Sequence, residues 1–112
     1  MPSGPRGDAL RTVWIEPADN TDDELDEWYR KQHLEMLGMV NGFRRSTRYK
    51  RVDGTTPRYL ACHEYDTTNI PVEQMKLVIG TEWSKKILGE AKLFEKDLWK
   101  FITAYGETQS KL

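Results

Sequence analysis

"FRRSTRYKRVDGTTPRYLACHEYD", Phe43 to Asp66, is the stretch whose reading decides the fold. Two runs flank Asp53-Gly54, a dipeptide suited to chain reversal, and Pro57 sits near the start of the second run, so the stretch reads as a β-hairpin. Strand side chains alternate between faces. In the second run Tyr59, Ala61, His63 and Tyr65 therefore share one face, with Leu60, Cys62 and Glu64 on the other. In the first run Phe43, Arg45, Thr47 and Tyr49 oppose Arg44, Ser46, Arg48 and Lys50. Charge interleaved with aromatics there describes an edge strand guarded by cations against edge-to-edge pairing.

The flanking sequence is helical on both sides of the hairpin. Upstream, Thr21 and Glu24 have capping-box spacing, acidic residues fill the first turn, and Leu25, Trp28, Tyr29, Gln32, Met36, Met39 and Val40 recur at three and four until Asn41-Gly42. Downstream, Pro71 opens a short helix "PVEQMKLVI" broken at Gly80. Thr81 then caps "EWSKKILGEAKLFEKD", whose apolar stripe is Trp83, Ile87, Leu88, Ala91 and Phe94. "LRTVWIE", Leu10 to Glu16, stops at Pro17 and reads as a first strand; "LWKFITAYG", Leu98 to Gly106, reads as the last. The order is β-α-β-β-α-β, the ferredoxin-like α+β arrangement: a four-stranded antiparallel sheet with helices on one face. Trp99, Phe101 and Tyr105 on one side of the last strand, and Leu98, Ile102 and Ala104 on the other, make both sheet faces apolar. A second copy, sheet against sheet, is the physical remedy, so the expectation is a homodimer.

With 112 residues the chain has the length of one domain, read as 9–106, between a disordered start at 1–8 and a frayed tail at 107–112. Seventeen basic against eighteen acidic residues remove the electrostatic case for nucleic acid or an anionic membrane as partner. The single cysteine, Cys62, rules out an internal disulfide framework and a multi-cysteine zinc site, and "HLEM" lacks the second histidine of a zinc helix. No apolar run reaches the roughly 20 residues that span a bilayer. The reading is a soluble cytoplasmic protein with no metal.

Four segments, "WYRKQHLEM", "NGFRRSTRY", "PRYLACHEYD" and "GTEWSKK", resemble the EthD-like branch of the dimeric α+β barrel superfamily, over roughly residues 10 to 105. The chain departs from that pattern at Gln32, where the family often has Glu, at Leu34-Glu35, which replace Ile-Pro, and at His63, where relatives often have tyrosine. Without the proline, the helix is expected to run straight. The resemblance implies a small-molecule pocket in each subunit between the helices and the concave face of the sheet. Superfamily members include cofactor-free quinone-forming monooxygenases, muconolactone isomerases, haem-degrading enzymes and olivetolic acid cyclase. EthD-like members in fungal biosynthetic clusters are linked to decarboxylation of aromatic polyketides.

The candidate chemistry centres on His33 and His63. A helical wheel puts His33 about 60° from the centre of the apolar stripe near Met36, at roughly 100° per residue. It is either a partly buried histidine satisfied by a backbone carbonyl or a proton carrier lining a pocket; an ordinary imidazole pKa of about 6.5 suits the second role. His63 is either core-facing or its partner across the pocket. Tyr29, Tyr49, Tyr59 and Tyr65 are core residues by default, and any of them can supply a phenol to an enolate or phenolate oxygen. Trp28, Met36, Phe43 and Trp83 are apolar walls for a flat aromatic ligand or plain core. Arg45 or Arg48 is a candidate for a substrate carboxylate, against a solvated-edge reading. Cys62, opposite His63 by alternation, forms no nucleophilic pair with it. The expected function is that of a cofactor-independent lyase of polyketide metabolism: acid–base chemistry on a hydrophobic aromatic molecule, decarboxylation first and dehydration or cyclisation next, with His33, His63 and Tyr29 catalytic. The alternatives are a non-catalytic ligand-binding barrel and a cofactor-free or haem-dependent monooxygenase.

Overall fold

The computed structural model describes residues 7–106. The expected disordered start and frayed tail fall largely on residues 1–6 and 107–112, outside the described residues. Gly7 and Asp8 are tied down: the Gly7 N–H donates to Glu64 Oε2 at 2.9 Å, and Asp8 accepts from Lys100 Nζ at 2.8 Å.

The elements are β1 (Ala9–Glu16), α1 (Asp22–Trp28), a π-helical turn (Tyr29–His33), α2 (Leu34–Leu37), β2 (Phe43–Lys50), β3 (Tyr59–Tyr65), α3 (Val72–Ile79), α4 (Glu82–Glu90) and β4 (Leu93–Lys100). The sheet is antiparallel in the order β2-β3-β1-β4, so the basic strand β2 is at an edge as its composition implies. Leu25, Trp28 and Tyr29 of the first helix pack with Ile15, Ala61 and Ile87, while Leu37 and Val40 pack with Ala9, Tyr65 and Val78. Burying each of the leucine, isoleucine and valine side chains among them stabilises the fold by about 1.5–3 kcal/mol.

The last strand departs from the sequence reading. The helix expected to continue to Asp97 ends at Glu90, and the strand expected over Leu98–Gly106 runs instead over Leu93–Lys100. "KLFEKD" carries good helix formers, but the open edge of β1 offers a ladder of hydrogen-bond partners, and tertiary pairing overrides local propensity.

The first helix is continuous but not straight-phased. A π-helical turn fits one more residue into the turn and rotates the segment beyond it, so the inward residues are Tyr29, His33, Leu37 and Val40. The expected stripe through Gln32, Met36 and Met39 is displaced, and Met39 is 70% exposed. The Thr21–Glu24 capping box is also absent. Thr21 Oγ1 donates to Ala18 O at 2.7 Å, and the Glu24 carboxylate accepts from Lys86 Nζ and Trp83 Nε1, fastening α1 to α4.

A bulge at Arg44 shifts β2. Phe43 pairs with Tyr65, but Arg45 pairs with Glu64, so beyond the bulge Ser46 and Arg48 lie opposite His63 and Ala61 on the helix-facing side. Arg45, Thr47 and Tyr49 face outward, a reversal of the simple alternation that grouped them with Phe43.

Candidate active site

A cavity of about 280 Å³ opens between the helix layer and the sheet. Trp28, Tyr29, His33 and Leu37 wall it from the first helix, Ile70 to Ile79 from the α3 segment, and Arg11, Val13, His63, Tyr65, Phe94 and Lys96 from the sheet. Its surface is mostly apolar, with few polar groups, as small-molecule sites usually are.

The π-helical turn carries His33 into this wall. Its ring stacks on Trp28 at 4.1 Å, meets Tyr29 edge-on at 5.5 Å and lies 6.3 Å from the ring of His63. The residue is only 7% exposed, and its Nδ1 is buried with no hydrogen-bond partner among the described residues. Burial, with His63 nearby, pushes its pKa down to about 3. His63 is held from the edge strand, its Nδ1 2.6 Å from Ser46 Oγ. Burial, with the charges of Arg11 and Arg48, pushes its pKa down to about 4. Both imidazoles are therefore neutral at neutral pH, which corrects the expectation of a histidine poised near its ordinary value.

Tyr29 lies under the Arg48 guanidinium, 4.1 Å from ring centroid to Cζ, and burial pushes its phenol up to about 12. At neutral pH it is a hydrogen-bond donor and not a base. Tyr65 also lines the cavity, its hydroxyl donating to Met75 Sδ at 3.9 Å.

The cavity thus brings together His33, His63, Tyr29, Trp28 and Tyr65. It does not include the other expected binding residues. Met36 and Phe43 pack on the second core cluster, Phe43 edge-on to Tyr65 at 5.8 Å. Tyr49 is turned to the outer face by the bulge and is 57% exposed. Tyr59 donates to Asp22 at 2.6 Å in a network with Arg58 and Glu16, and Trp83 donates to Glu24. Arg45 closes on Glu64, while Arg48 is held by Asp26 at 2.8 Å. Cys62 is on the face opposite His63. Gln32 Oε1 accepts from Thr81 Oγ1 at 2.7 Å, so this side chain is committed to the start of α4.

The site also holds polar residues that the sequence reading does not single out: Arg11, Lys76, Lys96 and Ser46. Arg11 was visible in principle, because alternation in "ALRTVWIE" groups it with Val13 and Ile15. Lys96 was hidden by the helical reading of its segment, and Ser46 by the bulge.

No protein-family model matches the sequence, and no curated protein matches it. Among solved structures, the chain is similar to a protein from Nitrosomonas europaea named for antibiotic biosynthesis monooxygenases, with a TM-score of 0.62 and 11% identity over 92% of this chain and 98% of that one. An EthD family protein from Bacillus halodurans gives 0.47 at 18% identity over 84% and 97%. A Bacillus cereus protein named like the first gives 0.48 at 7% identity over 91% and 97%. At these identities likeness shows the fold alone, and only the first is close enough to carry it: the chain is a ferredoxin-like α+β subunit, a four-stranded antiparallel sheet with helices packed on one face.

Proposed function

We propose that the chain is a cofactor-independent enzyme that moves a proton on a hydrophobic, aromatic or polyketide-like small molecule, with His33 and His63 as carriers and Tyr29 as a hydrogen-bond donor. The observation that carries this reading is the pair of buried imidazoles facing one apolar cavity, His33 with an Nδ1 that has no hydrogen-bond partner among the described residues; burial keeps both neutral. A neutral imidazole must first take a proton before it can give one. Decarboxylation of a hydroxyaryl carboxylate suits that order. The imidazole takes the hydroxyl proton and returns it to the ring carbon bearing the carboxylate. The bond to the carboxylate then breaks, carbon dioxide leaves, and the electron pair restores an aromatic phenolate. Dehydration or cyclisation begins with the same abstraction. A second copy packed on the outer sheet face belongs to this reading, since Leu10, Trp14, Leu60 and Trp99 lie on that face.

The test is to incubate the purified protein with a panel of hydroxylated aromatic polyketide acids under argon and measure carbon dioxide release. Turnover without oxygen is expected, with a loss of about 10²-fold or more in His33→Ala, the scale of general acid–base catalysis. Strict oxygen dependence would instead support a monooxygenase, the activity for which the Nitrosomonas europaea neighbour is named. Ligand uptake without turnover would leave a binding barrel.

A further inference from the structure

The cavity holds a cation that the proton chemistry above leaves unused. Arg11 stands on β1, an inner strand of the sheet, directly opposite His63 on β3 and Leu98 on β4. It lines the cavity with Lys76 and Lys96, and no carboxylate lines it among the described residues. Lys76 pairs with Glu73. The arginines Arg44, Arg45, Arg48 and Arg58 all close on carboxylates. Arg11 has no hydrogen bond or ion pair among the described residues. A guanidinium partly withdrawn from water without a counter-ion is costly, and an anion bound against it offsets that cost.

The neighbour of Arg11 decides which anion. A substrate carboxylate is already ionised near neutral pH and needs a cation but no base. An aromatic hydroxyl needs both, a base to ionise it and a cation to hold what is left. The pairing of Arg11 with His63 supplies both on adjacent strands, where directly opposed side chains stand about 5 Å apart at Cβ.

We infer that Arg11 and His63 form an ionising site for an aromatic hydroxyl, so that the ligands of this cavity are phenols or enols bound as their oxyanions. The O–H bond breaks, the proton goes to the His63 imidazole, and the oxygen keeps the electron pair against the Arg11 guanidinium. Ser46, on Nδ1, fixes the ring that receives the proton. This rests on the acid–base reading of the same cavity and names its substrate class. Burial disfavours a charged His63 most, and the charge of Arg11 adds to it; a bound oxyanion cancels the Arg11 contribution, so the imidazole gains basicity when a ligand is present. Tyr29 and His33 from the first helix, Tyr65 from β3, Lys76 from α3 and Lys96 from β4 line the same cavity, and the charge of Arg48 from β2 also acts on the His63 imidazole.

The probe is 4-nitrophenol, whose ionisation is read from visible absorbance, with 4-nitroanisole as the analogue that cannot ionise. Bound 4-nitrophenol is expected to show a pKa about one unit or more below its free value, the scale of a nearby opposite charge. Arg11→Met returns it to the free value or above while binding 4-nitroanisole as the parent does; Arg11→Lys keeps part of the shift. An unchanged or raised pKa in the unaltered protein overturns the inference without recourse to any variant. So does the same shift in Arg11→Met, or no uptake of 4-nitrophenol at millimolar concentration. Because the assay reads no turnover, the two readings fail separately. A lowered pKa with no reaction on any substrate removes the proposed catalysis and leaves the oxyanion site.

Discussion

Taking an imidazole out of water penalises its charged form, and for His33 and His63 this has a consequence for stability as well as for chemistry. In the unfolded chain both titrate near about 6.5. In the folded chain they titrate near about 3 and about 4. Below the unfolded value the unfolded chain therefore binds more protons than the folded one, so stability is full above about pH 6.5 and falls as pH drops toward the folded values. Between pH 7 and pH 5 the loss is on the order of 2 kcal/mol for each histidine. Asp22, Asp26 and Glu16 are held below the ordinary carboxylate range by Arg58 and Arg48, so their losses come at lower pH and leave this window to the histidines. Thermal midpoints at pH 7 and pH 5 measure the effect. The drop in His63→Gln should be about half that of the parent, and an equal drop would mean that the imidazoles are not buried neutral. None of this was readable from periodicity, which left His33 on the flank of its helix.

Element by element, legibility tracked how local the deciding forces were. The hairpin, α3, the start of α4 and the basic edge strand all come from turn residues, caps and alternation within a few positions. The π-helical turn, the Arg44 bulge and β4 do not. Each is a one-residue insertion or a strand pairing selected by what lies across the core, and a 3.6 or a 2.0 period cannot register either. The bulge explains why Tyr49 lies outside the expected site and Ser46 within it, and β4 explains why Lys96 joins it. One element-scale device is directly testable. Thr81 Oγ1 accepts from Ser84 N at 3.0 Å as the N-cap of α4 and also donates to Gln32 on the π-helical turn. Thr81→Ala should lose about 1–2 kcal/mol in urea unfolding, whereas Thr81→Ser keeps the hydroxyl and should stay near the parent. A near-neutral Thr81→Ala would mean that neither the cap nor the tether between the two helices carries energy.

At the scale of the molecule, the helices cover one face of the sheet and leave the other open. Phe101 and Tyr105, which from sequence helped to make that face apolar, lie beyond the end of β4. Other residues build it instead: Leu10 and Trp14 of β1, Leu60 of β3 and Trp99 of β4 are outward by register, with Trp99 54% exposed and its Nε1 donating to Thr12 at 2.8 Å. Apolar side chains sharing one face favour a self-complementary contact between two copies. Light scattering should therefore give twice the chain mass at micromolar concentration. Trp99→Glu places a charge on that face and should shift the mass to a single chain. Leu77→Glu, at a 71% exposed position on α3 in the helix layer, should leave it unchanged. A single-chain mass for the parent protein would remove the sheet-to-sheet assembly, and dissociation by Leu77→Glu and not by Trp99→Glu would place the self-association on the helical side.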